Sequence, residues 1–193
     1  MTAKMSGVDL NDKRIVVFGA GGLIGVEIVA GLLASGARVS AVDVDSARLS
    51  SLVSQVENQS DALHHQIASI TDADGIAKAL DTVADRWGGV DAAVNLAYPR
   101  NKAYGNHFFD VTYADFAENV SLHLGGYFVV MQQCAKYALD RHTAFSLVQF
   151  ASIYGIMAPR FDVYQDTSMT TPVEYAAVKS ALIHLTRYVT AYT

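Results

Sequence analysis

Apolar residues recur along this chain with two alternating periods. Arg14 to Phe18 (RIVVF) is a continuous apolar, β-branched run that stops at glycine, the pattern of a parallel strand buried on both faces. From Gly22 to Ser35 the spacing becomes helical, with Ile24, Ile28, Val29, Leu32 and Leu33 on one stripe, and Gly36 ends it. The two periods then alternate. Strands are predicted over 38–42, 65–70, 91–96 and 145–151, and helices over 47–56, 72–87, 113–141 and 172–192. Strands separated by helices of this length imply a Rossmann-type α/β fold: a doubly wound parallel sheet with right-handed crossovers, three layers and a single domain over residues 1–193. The longest stretch with neither period, 155–171, is too long for a plain turn and is expected to be functional.

Composition narrows the class. With 51% hydrophobic and 17% charged residues, the chain has enough apolar surface to offset its ordering entropy. A net charge of -5 with no basic block argues against nucleic acid as a partner. The single cysteine, Cys134, sits in an apolar pattern and can build neither a disulfide framework nor a CxxC metal pair. Residues 1–14 lack the apolar stretch of a signal peptide, and no apolar run approaches the roughly 18 residues of a membrane span. A cytoplasmic protein acting on a small molecule is expected. His64 and His65, placed just before the third strand, have no companion ligands, so no metal site is expected. His107 and His123 are isolated, though His123 lies one turn beyond Asn119 and could face a cleft.

The first strand runs into Gly19-Ala20-Gly21-Gly22-Leu23-Ile24-Gly25 and then a helix. Glycines there let backbone amides approach a pyrophosphate, and Gly25 allows the helix to sit close to the strand. The N–H groups that open the helix, at Leu23 and Ile24, face the same ligand with the positive end of the helix dipole. Asp43 ends the second strand, where a carboxylate binds a ribose 2'-hydroxyl and repels a 2'-phosphate. Val44 rather than an arginine follows it, which favours NAD over NADP.

Tyr175-Ala-Ala-Val-Lys179 opens the last helix, and the i, i+4 spacing puts phenol and ammonium on one face. An ammonium beside a phenol favours phenolate, so Tyr175 can exchange a proton with an alcohol as hydride moves. Ser152, at the end of the fifth strand, is placed to hold the substrate oxygen. Asn119, in the long fourth helix, is placed to extend a proton relay from Lys179 to solvent.

These motifs, with Asn95-Leu96-Ala97 after the fourth strand and Ser152-Ile-Tyr-Gly155, stand in the order found in short-chain dehydrogenases/reductases, which the chain resembles from about Lys13 onward. The stretches around Tyr98-Pro99-Arg100-Asn101-Lys102, Asn119 to Gly126 and Phe161 to Tyr164 look like the flagellin-modification protein A group, oxidoreductases associated with unusual sugars. The resemblance implies that Ser152 orients substrate, Tyr175 is the acid/base and Asn119 the relay residue. It also implies that Lys179 assists the tyrosine and binds the nicotinamide ribose, that Asn95 and Ala97 lie at the cofactor, and that the protein is a homodimer or homotetramer. Departures stand beside it. Tyr98 replaces the usual glycine after Asn95-Leu96-Ala97 and is expected to narrow the site, Ser69 replaces an acid that commonly reads adenine, and the Ser152–Tyr175 spacing is wider than in ordinary members. Members of the family continue into further strands beyond the Tyr-Lys helix, so C-terminal strands are expected to be missing here. The leading expectation is an NAD-dependent oxidoreductase for a secondary alcohol of a sugar or sugar phosphate. A sugar-nucleotide epimerase or dehydratase, and a non-catalytic dinucleotide-binding protein, remain open. Arg100 and Lys102 read either as a solvated loop or as a site for a substrate phosphate or carboxylate.

Overall fold

The computed structural model describes residues 9–56 and 61–193; the residues called signal-free at the extreme N-terminus lie partly outside that range. Its centre is β1 (Arg14–Phe18), whose unbroken apolar run is buried on both faces, as a middle strand requires. The remaining strands are β2 (Arg38–Asp43), β3 (Leu63–Ile67), β4 (Ala92–Asn95) and β5 (Ser146–Gln149), all parallel in the order β3-β2-β1-β4-β5. The crossover helices are α1 (Leu23–Ala34), α2 (Ser46–Gln55), α3 (Ala73–Trp87), α4 (Tyr113–Val120), α5 (Gly126–Asp140) and α6 (Val173–Tyr192).

Alternation along β1 divides the interior in two. Ile15 and Val17 enter a core with Val29, Leu33, Leu49 and Leu52 of α1 and α2. Val16 and Phe18 enter the opposite core with Leu80 of α3, Val130 and Met131 of α5, and Leu182 of α6. Each such side chain contributes about 1.5–3 kcal/mol when fully buried. The second core also encloses Cys134, whose thiol burial pushes up to about 12. The three-layer doubly wound fold is as the sequence pattern implied. β1 lies between β2 and β4, so the chain winds away in both directions from it and leaves a crevice at the carboxyl ends of these strands.

Three boundaries differ from the periodicity. β3 begins at Leu63 because its register with β2 pairs Val39 with Leu63 and Asp43 with Ile67, so the strand starts two residues earlier than 65 and takes in both His64 and His65. β5 is shorter than the apolar run. The expected helix over 113–141 is two helices, α4 and α5, joined by a π-turn at Ser121–Gly125.

Candidate active site

β1 delivers the chain to Gly19, which has φ +77°, and a Cβ there would stand 2.6 Å from the Ala97 backbone nitrogen. No L side chain fits, and the turn after β1 therefore touches the turn after β4. Gly25 is equally constrained: a Cβ would lie 2.3 Å from the Gly19 carbonyl, so α1 rests directly on the glycine turn. Gly22 caps α1 without any side-chain acceptor, and the first helical bond is Val26 N–H to the Gly22 carbonyl. The N–H groups of Leu23 and Ile24 thus have no acceptor within the helix, and Leu23 is 94% exposed. Asp43 ends β2 with one carboxylate oxygen accepting from Gly21 N–H at 2.9 Å and the other from Asp45 N–H at 3.1 Å. Gly19, Gly22 and Asp43, together with Ala97, Tyr98 and Ser69, line a cleft of about 420 Å³. Asn95, fully buried beneath it, accepts from Ala97 N–H at 3.2 Å and has an unpartnered Nδ2. A dinucleotide fits this donor-lined, Cβ-free cradle. Arg48 of α2 enters the same cleft beside Gly21, ion-paired with Asp45 at 3.2 Å. Reading only the position after Asp43 missed it.

The second part of the site forms where β5 meets α6. Lys179 is 3% exposed, and its Nζ donates to the Phe150 carbonyl at 2.5 Å. It lies 5.0, 5.4 and 5.7 Å from the ring centres of Tyr127, Tyr98 and Tyr175, within range of each π face. Among the described residues no carboxylate is ion-paired with it, and burial pushes the ammonium down to about 8. Ser152 caps the short turn Ile153–Gly155, its hydroxyl accepting from Tyr154 N–H at 3.2 Å. A Cβ on Gly155 would lie 2.7 Å from the Lys179 backbone, so this turn lies flat on α6 and carries Ser152 to the Tyr175–Lys179 end of the helix.

Asn119 is buried, but it does not reach Lys179. Its Oδ1 accepts from Asn101 N–H at 2.9 Å, and its Nδ2 donates to Asn101 Oδ1 at 3.0 Å and Glu174 Oε1 at 3.1 Å. Among the described residues no direct hydrogen bond joins Asn119 to Lys179. The lysine's neighbour on this side is His123 of the π-turn, with Nε2 3.4 Å from Nζ. Burial, then the nearby Lys179 charge, hold the imidazole down to about 3. Tyr98 stands edge-on to His123 and shares a hydroxyl hydrogen bond with Tyr104, and burial pushes its phenol up to about 12. The Arg100 guanidinium lies 5.6 and 5.8 Å from the rings of Tyr98 and Tyr104. Glu174, next to Tyr175, is also buried, and its Oε2 has no partner. The described residues assemble no group of three His, Cys, Asp or Glu side chains able to hold a metal.

Residues 13–191 match the short chain dehydrogenase family. The chain belongs to that family. It is 29% identical over 178 residues to the post-translational flagellin modification protein A of Campylobacter coli, covering 91% of this chain and 69% of the relative. It is 26% identical over 163 residues to a D-threitol dehydrogenase of Mycolicibacterium smegmatis, covering 75% and 62%. A short chain dehydrogenase from Leptospira borgpetersenii with bound NAD+ superposes with a TM-score of 0.77 at 26% identity, over 95% of this chain and 66% of that one. The chain thus spans about two thirds of the length of these relatives. As a short chain dehydrogenase it is an oxidoreductase of a nicotinamide-dinucleotide-binding family.

Within this family member, Tyr98, Tyr127 and His123 crowd the Tyr-Lys pair, and Glu174, beside Tyr175 in the chain, is turned to Asn119. Tyr98 was legible as a departure after Asn95-Leu96-Ala97, and its ring centre lies 6.2 Å from that of Tyr175, where it narrows the site. His123 was visible only as a histidine one turn past Asn119. Glu174 and Tyr127 carried no signal at all, because their spacing is that of ordinary helix residues.

Proposed function

We propose that this chain catalyses NAD-dependent interconversion of a secondary alcohol and a ketone, on a sugar, polyol or sugar phosphate. The observation that carries the reading is the buried Lys179 ammonium beside the Tyr175 ring, with no carboxylate among the described residues ion-paired with it. Tyr175, whose ring faces that charge, takes the hydroxyl proton in oxidation and returns it in reduction. Ser152 holds the substrate oxygen beside Tyr175. Bound NAD supplies the hydride acceptor; Gly19, Gly21, Gly22, Leu23, Ile24 and Gly25 would hold its pyrophosphate and Asp43 its adenosine ribose. Asn95, Ala97, Tyr175 and Lys179 would flank its nicotinamide end. Asn119 supports the set by anchoring the Asn101 loop and Glu174.

Asp43 supports NAD over NADP, with Arg48 acting in the opposite sense. The sugar or polyol class is supported by the names of the relatives and by Arg100, a cation lining the cleft. The exposed apolar residues Phe128, Leu139, Tyr188 and Tyr192 on α5 and α6 support a homodimer or homotetramer joined through these helices. None of the described helices is long and apolar enough to cross a membrane, which accords with a cytoplasmic location. Turnover of a panel of polyols, hexose phosphates and nucleotide sugars with NAD tests the proposal. NADH formation with a member of the panel is expected. NAD binding with no turnover of any of them would favour the non-catalytic reading.

A further inference from the structure

His123 sits at the centre of the π-turn Ser121–Gly125, 2% exposed, and the proposed reaction leaves it without a role. Its ring centre lies 4.4 Å from that of Tyr98 and 5.0 Å from that of Tyr127. An ammonium can only donate, so the 3.4 Å approach of Nε2 to Lys179 Nζ is favourable only when Nε2 presents a lone pair. That requires a neutral ring whose proton is on Nδ1. Burial and the adjacent cation both oppose a second positive charge here. The titratable groups around the pair are Tyr98 from the loop after β4, Tyr127 from α5 and Tyr175 from α6. The carboxylate of Glu174 is turned to Asn119 instead. A π-turn is a frequent mark of function, because its extra residue re-aims the side chains of one turn.

We propose that His123 is a positioning residue for Lys179: its neutral Nε2 accepts one ammonium N–H, the Phe150 carbonyl accepts a second, and the third is left for the cofactor ribose beside Tyr175. The inference rests on the functional reading above and deepens it. It makes the histidine, rather than Asn119, the group through which the α4–α5 segment acts on the catalytic pair.

Two measurements test it, on the wild type and the variants His123→Leu and His123→Gln. Nitrogen-15 spectra of the imidazole should find the neutral Nδ1–H tautomer at His123 between pH 5 and 8; an Nε2–H tautomer or an imidazolium there would overturn the proposal. In the pH profile of alcohol oxidation, His123→Leu should move the alkaline limb, where Lys179 loses its proton, down by about one unit. It should also weaken NAD about tenfold. His123→Gln, with an amide oxygen able to accept, should recover most of both. An unchanged profile and NAD affinity in His123→Leu, or equal losses in the two variants, would reject the role. A failure of the catalytic reading shows elsewhere, as normal turnover in Tyr175→Phe, and leaves tautomer and NAD affinity to decide the part played by His123.

Discussion

Arg14 and Lys179 are cations at opposite ends of the same sheet, and they are held in opposite ways. At the amino end of β1, Arg14 Nε and Nη2 donate to the two oxygens of Asp91 at 2.7 and 2.9 Å, and Arg14 N–H donates to the same carboxylate at 2.8 Å. Asp91 is itself stitched to β5 through its carbonyl, which accepts from Ser146 N–H at 3.0 Å. The guanidinium hydrogen bonds hold the Asp91 carboxyl below its ordinary range and the carboxylate raises Arg14 in turn, so both groups stay ionised. At the carboxyl end, Lys179 is more deeply buried and has a carbonyl, an imidazole nitrogen and three tyrosine faces in place of a carboxylate. Its charge is tolerated rather than matched. A matched pair fixes strands in place; an unmatched ammonium keeps a field that a neighbouring phenol or a ligand can use.

The sharpest break of this comparison is Tyr175→Phe. Turnover should fall by about 10² to 10⁴ with melting temperature and NAD affinity preserved, since only the hydroxyl proposed to transfer the proton is removed. Steady-state rates beside a thermal melt decide it, and near-normal turnover would reduce Lys179 to a binding residue.

The next effect is on stability. Lys179 in the folded chain titrates near 8, against an ordinary 10.5, so between these values the unfolded chain binds more protons. Stability should therefore rise with pH across that window, by about 3 kcal/mol at most, and the rise should vanish in Lys179→Met. Urea unfolding at pH 7.5 and 10 reads the slope; the same slope in both proteins would show that the ammonium is not strained by burial.

Asp91→Ala addresses the matched pair. It should lower stability by about 1–3 kcal/mol, since the arginine and a backbone N–H both lose an acceptor, and leave the pH optimum and NAD affinity where they were. Because the Asp91 carboxyl is held low in the fold, its contribution is present above its ordinary range and is lost as the solution is acidified. A shifted pH optimum in Asp91→Ala would mean that the two ends of the sheet are coupled. The smallest effect is expected at the cofactor cleft. NAD should bind about tenfold tighter than NADP, Asp43→Ala should erode that preference, and Arg48→Ala should widen it. Calorimetry giving equal affinities in the wild type would remove Asp43 from the discriminating role.

Much of this architecture is legible without the fold. The run RIVVF can only be a strand buried on both faces, and the glycines after it are required by contacts that leave no room for Cβ. The i, i+4 spacing of Tyr175 and Lys179 places them on one helical face wherever the helix goes. Boundaries set by pairing were less legible: β3 starts where its register with β2 begins, and its edge position leaves few apolar residues to announce it.

Direction was the part the sequence did not contain. The apolar spacing from 113 to 141 accommodates one continuous helix, and the family resemblance points to Asn119 as the partner of Lys179. The π-turn itself carries His123 and sets it against Lys179, while Asn119, in the helix before it, is bonded to Asn101 and Glu174. Arg48 enters the cofactor cleft in the same way, by where α2 rests on Gly21 rather than by its distance from Asp43 along the chain. Local spacing determines which residues share an element and a face, because the periods of helix and strand are short-range. Which of them meet, and with what protonation, was decided by how the elements pack, because burial and neighbouring charge exist only once the chain has closed on itself.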